Sequence, residues 1–510
     1  MPMQTRLKRS LFLIHRWLGV VACLFFAMWF VSGVVMMYVG YPKLTERERL
    51  LHLPVLDAQA ALLSPRQALD IAGLQGPLSE LRLANARGGE PVYLATPEKD
   101  ASLAGKMKPR ARGTDVIIID ARTGQRQEEV SQQLALASAR AYAGEQIDIR
   151  YEGKVIEDAF THSRALDAHR PLHLVQLADE DNTLLYVSGK TGEVVRDATR
   201  NERLWNYAGA WIHWLYPFRG NLFDGWWTDI VIWLSIGGTV VALTGTVVGI
   251  LRWRFTKPYR SGSRSPYRTG FMRWHHIVGM VFASITITWI FSGLMSMNPW
   301  RIFDSGAPPL QTKQMQGGAL MISDLDQTPA RLLNAAGRPV SELRWARTLD
   351  LTSVAAYGAT GAPMLLDSQT AKPLVIDEET LIQASSKLLP YPVAEVQKLD
   401  RYDLYYYARD PHTMGGGADK PLPILRVIFA DPNATWVHLD PQTGSVLGKT
   451  DSHRRTSRWL FAMLHSWDWL PLLERRPLWD ILLIVLSLGG AVLSITGVVI
   501  GWRRLGIKLR

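Results

Sequence analysis

Cysteine is nearly missing from this chain: one of its 510 residues, Cys23, is a cysteine, and it lies in an apolar run. A disulfide framework, a CxxC redox pair, a cysteine zinc cluster and the CxxCH motif for covalent haem attachment are all excluded. Any haem would have to be held without a covalent link. Acidic residues are missing from three short basic segments: residues 1–16, residues 252–273, and the tail after Ile500. These hold fifteen positive charges against a formal net charge of +11, so the rest of the chain is slightly acidic. The positive charge sits beside apolar stretches, a topology signal rather than a nucleic-acid-binding pattern. A Gly-rich dinucleotide fingerprint opening a βαβ unit is also missing, so no flavin or NAD site is expected.

What is present is a set of four charge-free runs: Trp17–Tyr41, Ile230–Leu251, Ile277–Trp300 and Ile481–Trp502. Each has the roughly 20 apolar residues needed to cross a bilayer core. The first run is too long for the apolar part of a signal peptide, and no clear small-x-small cleavage site follows Gly40, so it reads as a retained anchor. The basic segments flank the start of span 1, the end of span 2, the start of span 3 and the end of span 4. The positive-inside rule then places both termini and the basic loop in the cytoplasm. Arg475 and Arg476 dissent. The expected organisation is 1–41 as N-terminus and span 1, 42–229 outside, 230–251 as span 2, and 252–276 as a cytoplasmic loop. Then follow 277–300 as span 3, 301–480 outside, and 481–510 as span 4 and tail.

The chain repeats itself. At an offset of 260, His15-Arg-Trp-Leu-Gly19 aligns with His275-His-Ile-Val-Gly279, Trp29 with Trp289, Ser32 with Ser292 and Gly33 with Gly293. At an offset of 252, Gly237-Gly238 aligns with Gly489-Gly490, Thr244-Gly245 with Thr496-Gly497, and His213 with His465. Ser64-Pro65 and Thr328-Pro329 each read as an N-cap with proline at the first helical position. Ser79-Glu-Leu-Arg82 recurs as Ser341-Glu-Leu-Arg344. One unit of helix, outer domain and helix is thus written twice in the same orientation, which puts equivalent residues face to face across an axis along the membrane normal.

The twelve histidines narrow to four that recur at equivalent places: His15 with His275 at one end of spans 1 and 3, and His213 with His465 just outside spans 2 and 4. Two imidazole pairs at two depths suit two bis-histidine haems. An interfacial histidine is commonly a polar tip in a headgroup belt, but its repetition in both halves favours a ligand. His276, next in the chain to His275, is an alternative to it, since neighbours on a helix point about 100° apart. The small residues near the spans could admit a flat macrocycle or serve helix packing alone. Trp29 and Trp289 could pack against a cofactor or line an electron path, or simply fill a core.

Each outer segment alternates short helices and strands. Val116–Asp120 before Thr123-Gly124, Leu184–Val187 before Thr191-Gly192, Leu365-Leu366 before Asp367, and Trp436–Asp440 before Thr443-Gly444 read as strands ending in turns. This predicts two small α+β modules per half. No nucleophile–base set, metal-ligand spacing or phosphate loop appears in them. Tyr402-Asp-Leu-Tyr-Tyr-Tyr407 with His412 makes an aromatic, polar patch that could meet a substrate, though a strand face or turn explains it equally.

The element Asp440-Pro-Gln-Thr-Gly444 with Val446 resembles the PepSY signature. The run from Arg458-Trp459 through His465-Ser-Trp-Asp, Arg476-Pro-Leu-Trp-Asp480, Gly489-Gly490, Thr496-Gly497 and Trp502-Arg-Arg504 resembles the PepSY-associated transmembrane family, and His15-Arg-Trp-Leu-Gly19 resembles its first span. The tyrosine-rich pattern of the second half has no counterpart around Ala165–Leu174. The resemblance implies a membrane α-helical protein with periplasmic α+β PepSY-like domains, in the bacterial inner membrane. It further implies a haem-dependent ferric-siderophore reductase with two b-type haems, held by His15, His275, His213 and His465. A periplasmic ferric chelate would be the substrate, and a quinol or separate cytoplasmic reductase the donor. A non-enzymatic membrane sensor or peptidase regulator is the alternative. An iron-chelate permease fits less well, because the spans carry no charged residue for a polar path.

Overall fold

The computed structural model describes residues 3–98, 116–409 and 420–508. Among them are four helices long and apolar enough to cross a membrane. Span 1 is Met3–Met36, span 2 Trp227–Arg252, span 3 Phe271–Ser296 and span 4 Leu478–Lys508. The last begins three residues before the expected start. Span 3 begins earlier and ends earlier than its charge-free run, because Asn298 and Trp300 take left-handed backbone conformations that stop the helix. His275 and His276 therefore lie within span 3.

Span 1 packs on spans 2 and 4, and so does span 3. Their shared core is Phe26, Phe30, Val241, Ile290 and Ala491, with Trp29 and Trp289 against it. The glycine pairs serve this packing unequally. A Cβ on Gly490 would overlap the Phe30 ring, one on Gly489 the Phe282 ring, and one on Gly238 would lie 2.8 Å from Phe26. Gly237 faces open space.

The segment after span 1 holds β1 (Pro77–Arg87), β2 (Glu90–Pro97), β3 (Ile117–Asp120), β4 (Arg126–Gln127), β5 (Ile149–Val155), β6 (Leu172–Leu177), β7 (Leu184–Ser188) and β8 (Val194–Ala198). The segment after span 3 holds β9 (Leu320–Met321), β10 (Glu342–Thr348), β11 (Leu351–Tyr357), β12 (Met364–Asp367), β13 (Val393–Leu399), β14 (Ile424–Phe429), β15 (Trp436–Leu439) and β16 (Val446–Thr450). The four strand–turn elements expected from sequence are β3, β7, β12 and β15. Gly124, Gly192 and Gly444 close three of the turns with positive φ, while Ala371 does so in the fourth. A glycine adopts that conformation most readily, and the fourth turn places an alanine in it.

Four separate modules do not form. Strands β1 and β10 pair antiparallel, joining both segments into one eight-stranded sheet in the order β12-β11-β10-β1-β2-β3-β4, with β9 on β1. Residues of both segments fill one core, including Leu81, Leu83, Tyr93, Leu343, Trp345 and Val354. The Tyr93 and Trp345 rings meet at 6.0 Å. Two four-stranded meanders, β5-β6-β7-β8 and β13-β14-β15-β16, complete the folded region. Helix Gln132–Ala143 covers the first, and Leu381 and Ala384 of helix Glu378–Ser385 pack into the core of the second.

Two histidine pairs in the helix bundle

The chain returns towards the bilayer twice, through Arg200–Asn206 and Ser452–Arg458, and each time passes into one π-type turn, Tyr207–Trp211 and Trp459–Met463. Such turns rotate the residues after them out of α register and are frequent at functional sites. Here they aim His213 and His465 at the bundle. Two residues on, Leu215 and Trp467 adopt positive φ and reverse the chain.

His213 lies against span 1. Its Nδ1 is 2.9 Å from Ser32 Oγ, and a Cβ on Gly33 would touch its Cε1 at 3.7 Å. His465 lies against span 3 in the same manner, with Nδ1 3.0 Å from Ser292 Oγ and Gly293 under its Cε1 at 3.7 Å. The two rings are 6.2 Å apart, centre to centre. They line a cavity of about 550 Å³ with Trp29, Trp289, Gly33 and Gly293, within the usual range of about 300–1,000 Å³ for a cofactor pocket.

His15 and His275 sit near the basic-loop end of spans 1 and 3, His15 being 17 residues before Ser32, or about 26 Å along the helix. His15 Nδ1 donates to Val241 O at 3.2 Å. His275 Nδ1 donates to Leu493 O at 3.1 Å and lies 3.2 Å from Thr496 Oγ. Gly245 and Gly497 lie against their respective Cε1 atoms. The ring centres are 6.3 Å apart.

These contacts assign one tautomer to all four rings. A carbonyl can only accept, so His15 and His275 carry hydrogen on Nδ1. Ser32 gives its own proton to Met28 O at 2.7 Å and Ser292 gives its to Trp289 O at 3.0 Å, so both hydroxyls accept from Nδ1–H. In each imidazole Nε2 then carries the lone pair, the arrangement found where a histidine binds a metal and its other nitrogen is anchored. Burial, with the His465 ring beside it, pushes His213 down to about 3, so it stays neutral at physiological pH.

An imidazole–metal–imidazole sandwich with bonds of about 2 Å has its ring centres roughly 6.2 Å apart. Both pairs meet that spacing. Among the described residues no three His, Cys, Asp or Glu side chains group as a metal site, so two imidazoles suit a metal whose remaining donors come from a macrocycle. At the domain-side pair the spacing and the cavity together fit a bis-histidine haem; the loop-side pair shares the ring spacing.

His276 has another task. Its Nε2 donates to Gly249 O at 3.0 Å and its Nδ1 accepts from Ser265 Oγ at 2.8 Å. Both nitrogens are occupied in pinning the basic loop to span 2, which leaves His275 as the ring facing His15.

The chain matches the model of the PepSY-associated TM region over residues 12–504, which include all four histidines. It belongs to that family. No curated protein matches the chain significantly.

In this PepSY-associated protein several neighbours of the site were not apparent from sequence. Trp29 Nε1 donates to His213 O at 2.9 Å, tying the returning segment to span 1. The Tyr402–Tyr407 patch reaches the cavity indirectly. Tyr407 contacts Arg458, which pairs at 2.9 Å with Asp468 in the cavity wall. Tyr406 packs on His438 at 5.0 Å and donates to Pro421 O. His412 lies outside the described residues. The recurrence of Ser32 and Ser292 is visible in the repeat, but their role emerges only from the fold.

Proposed function

We propose that this protein is a di-haem b oxidoreductase of the bacterial inner membrane that passes electrons outward to ferric chelates, siderophore iron among them. The carrying observation is the 6.2 and 6.3 Å spacing of two histidine pairs, each ring anchored through Nδ1. When bound, the two haems would carry single electrons from one face to the other and deliver them to Fe(III). The basic segments favour the cytoplasm for the end bearing His15 and His275, with the sheets in the periplasm. A quinol or separate cytoplasmic reductase would supply the electrons.

The protein's own contribution is placement. Ser32, Ser292, Val241 and Leu493 hold the imidazoles in one tautomer, so little reorganisation accompanies a change of metal charge. Trp29, Phe30, Trp289 and Ile290 present apolar walls to the domain-side cavity. Fe(II), once formed, is held weakly by chelators built for Fe(III) and is free to leave.

The test is an absorption spectrum and haem assay of the purified full chain after haem-replete expression. Two b-type haems per chain, reducible by dithionite and reoxidised by a ferric chelate, are expected. Protein without a Soret band would leave a membrane-anchored sensor or regulator as the reading.

A further inference from the structure

Ser32 and Ser292 are nearly inaccessible, at 1 % and 0 % exposure, and neither lines the domain-side cavity. They cannot touch a group bound in it. Yet each accepts a hydrogen bond from the histidine that does face it, at 2.9 and 3.0 Å. At the loop-side pair His15 has only the Val241 carbonyl assigned to Nδ1, and His275 has the Leu493 carbonyl and the Thr496 hydroxyl. At the domain-side pair both rings have a serine hydroxyl as the nearest assigned acceptor.

We infer that Ser32 and Ser292 are positioning residues that set the reduction potential of the domain-side site by accepting the Nδ1 protons of His213 and His465; this rests on the haem reading above. An acceptor on Nδ1–H makes the imidazole a stronger electron donor through Nε2. A stronger donor favours the ferric over the ferrous state and lowers the potential. Each serine also donates its own proton to a helix carbonyl, which polarises the oxygen and strengthens it as an acceptor.

The two serines do the same work in the two halves. Each hydroxyl accepts from its histidine Nδ1, and each ring also has a span carbonyl in reach, Trp29 O for His213 and Trp289 O for His465.

The experiment is potentiometric titration of the full chain, with the two sites separated by repeating it on His15→Ala, which keeps the domain-side haem alone. Ser32→Ala and Ser292→Ala are each expected to raise the domain-side potential, and Ser32→Thr to restore it, with the loop-side potential unmoved throughout. If Ser32→Ala does not accumulate, Ser292→Ala and Ser32→Thr carry the comparison. Unchanged potentials in haem-replete variants, or equal shifts at both sites, would overturn the inference. A parent protein that holds no haem overturns the functional reading instead.

Discussion

Arg82 on β1 and Arg344 on β10 lie directly opposite each other across the antiparallel pair that joins the two outer segments. Two like charges in register would repel. They are reconciled by Glu342, fully buried, which meets Arg82 at 3.1 Å, Arg49 at 2.8 Å, and Arg344. Glu193 adds a second carboxylate on Arg82 at 3.1 Å. Burial alone would push the Glu342 carboxyl up, but Arg49, Arg344 and Arg82 overcome it and hold it at about 2.

Glu342→Gln removes the charge that these arginines share. Breaking a buried ion network from one side costs about 3–5 kcal/mol, so the outer region should melt well below the parent in a thermal scan followed by tryptophan fluorescence. In the parent, the carboxyl sits near 2 when folded and about 4.3 when unfolded. Its contribution is present above the unfolded value and lost as pH falls from there through about 2. The parent's stability should decline over that window, and Glu342→Gln should decline less.

His213→Ala and His465→Ala should each abolish the domain-side haem and leave the loop-side one, halving haem per chain. Their rings contact serines and the cavity rather than the main packing core, so far-UV circular dichroism should match the parent. Retention of both haems in either variant would contradict the assignment.

His276→Ala separates ligand from anchor. The haem content should stay at the parent value, because both His276 nitrogens bind protein groups. The loop 253–270 should instead loosen, seen as faster cleavage by trypsin at its arginines. Loss of the loop-side haem with an unchanged cleavage rate would make His276 the ligand.

Gly245→Ala places a Cβ 2.5 Å from His15 Cε1, closer than real contacts allow, so the imidazole must shift. The loop-side haem should be lost or its absorption band moved. Gly237→Ala, where nothing lies within 4 Å, is the control. It should keep both haems, and its helix should gain about 1 kcal/mol in propensity.

The sequence by itself determined the four crossings and the candidate ligands. A bilayer core demands a run of apolar residues of set length, and flanking charge is local, so both are written in consecutive letters. Repetition singled out His15, His275, His213 and His465 from twelve histidines. Only the tertiary structure decided what those rings meet. Ser32 reaches His213 across 181 positions, and Ser292 reaches His465 across 173. The choice between His275 and His276 turned on Ser265 and Gly249, and the merging of two expected modules into one sheet turned on β1 meeting β10. Such contacts depend on how helices and strands pack after the chain has folded back on itself, and no periodicity or local spacing records that.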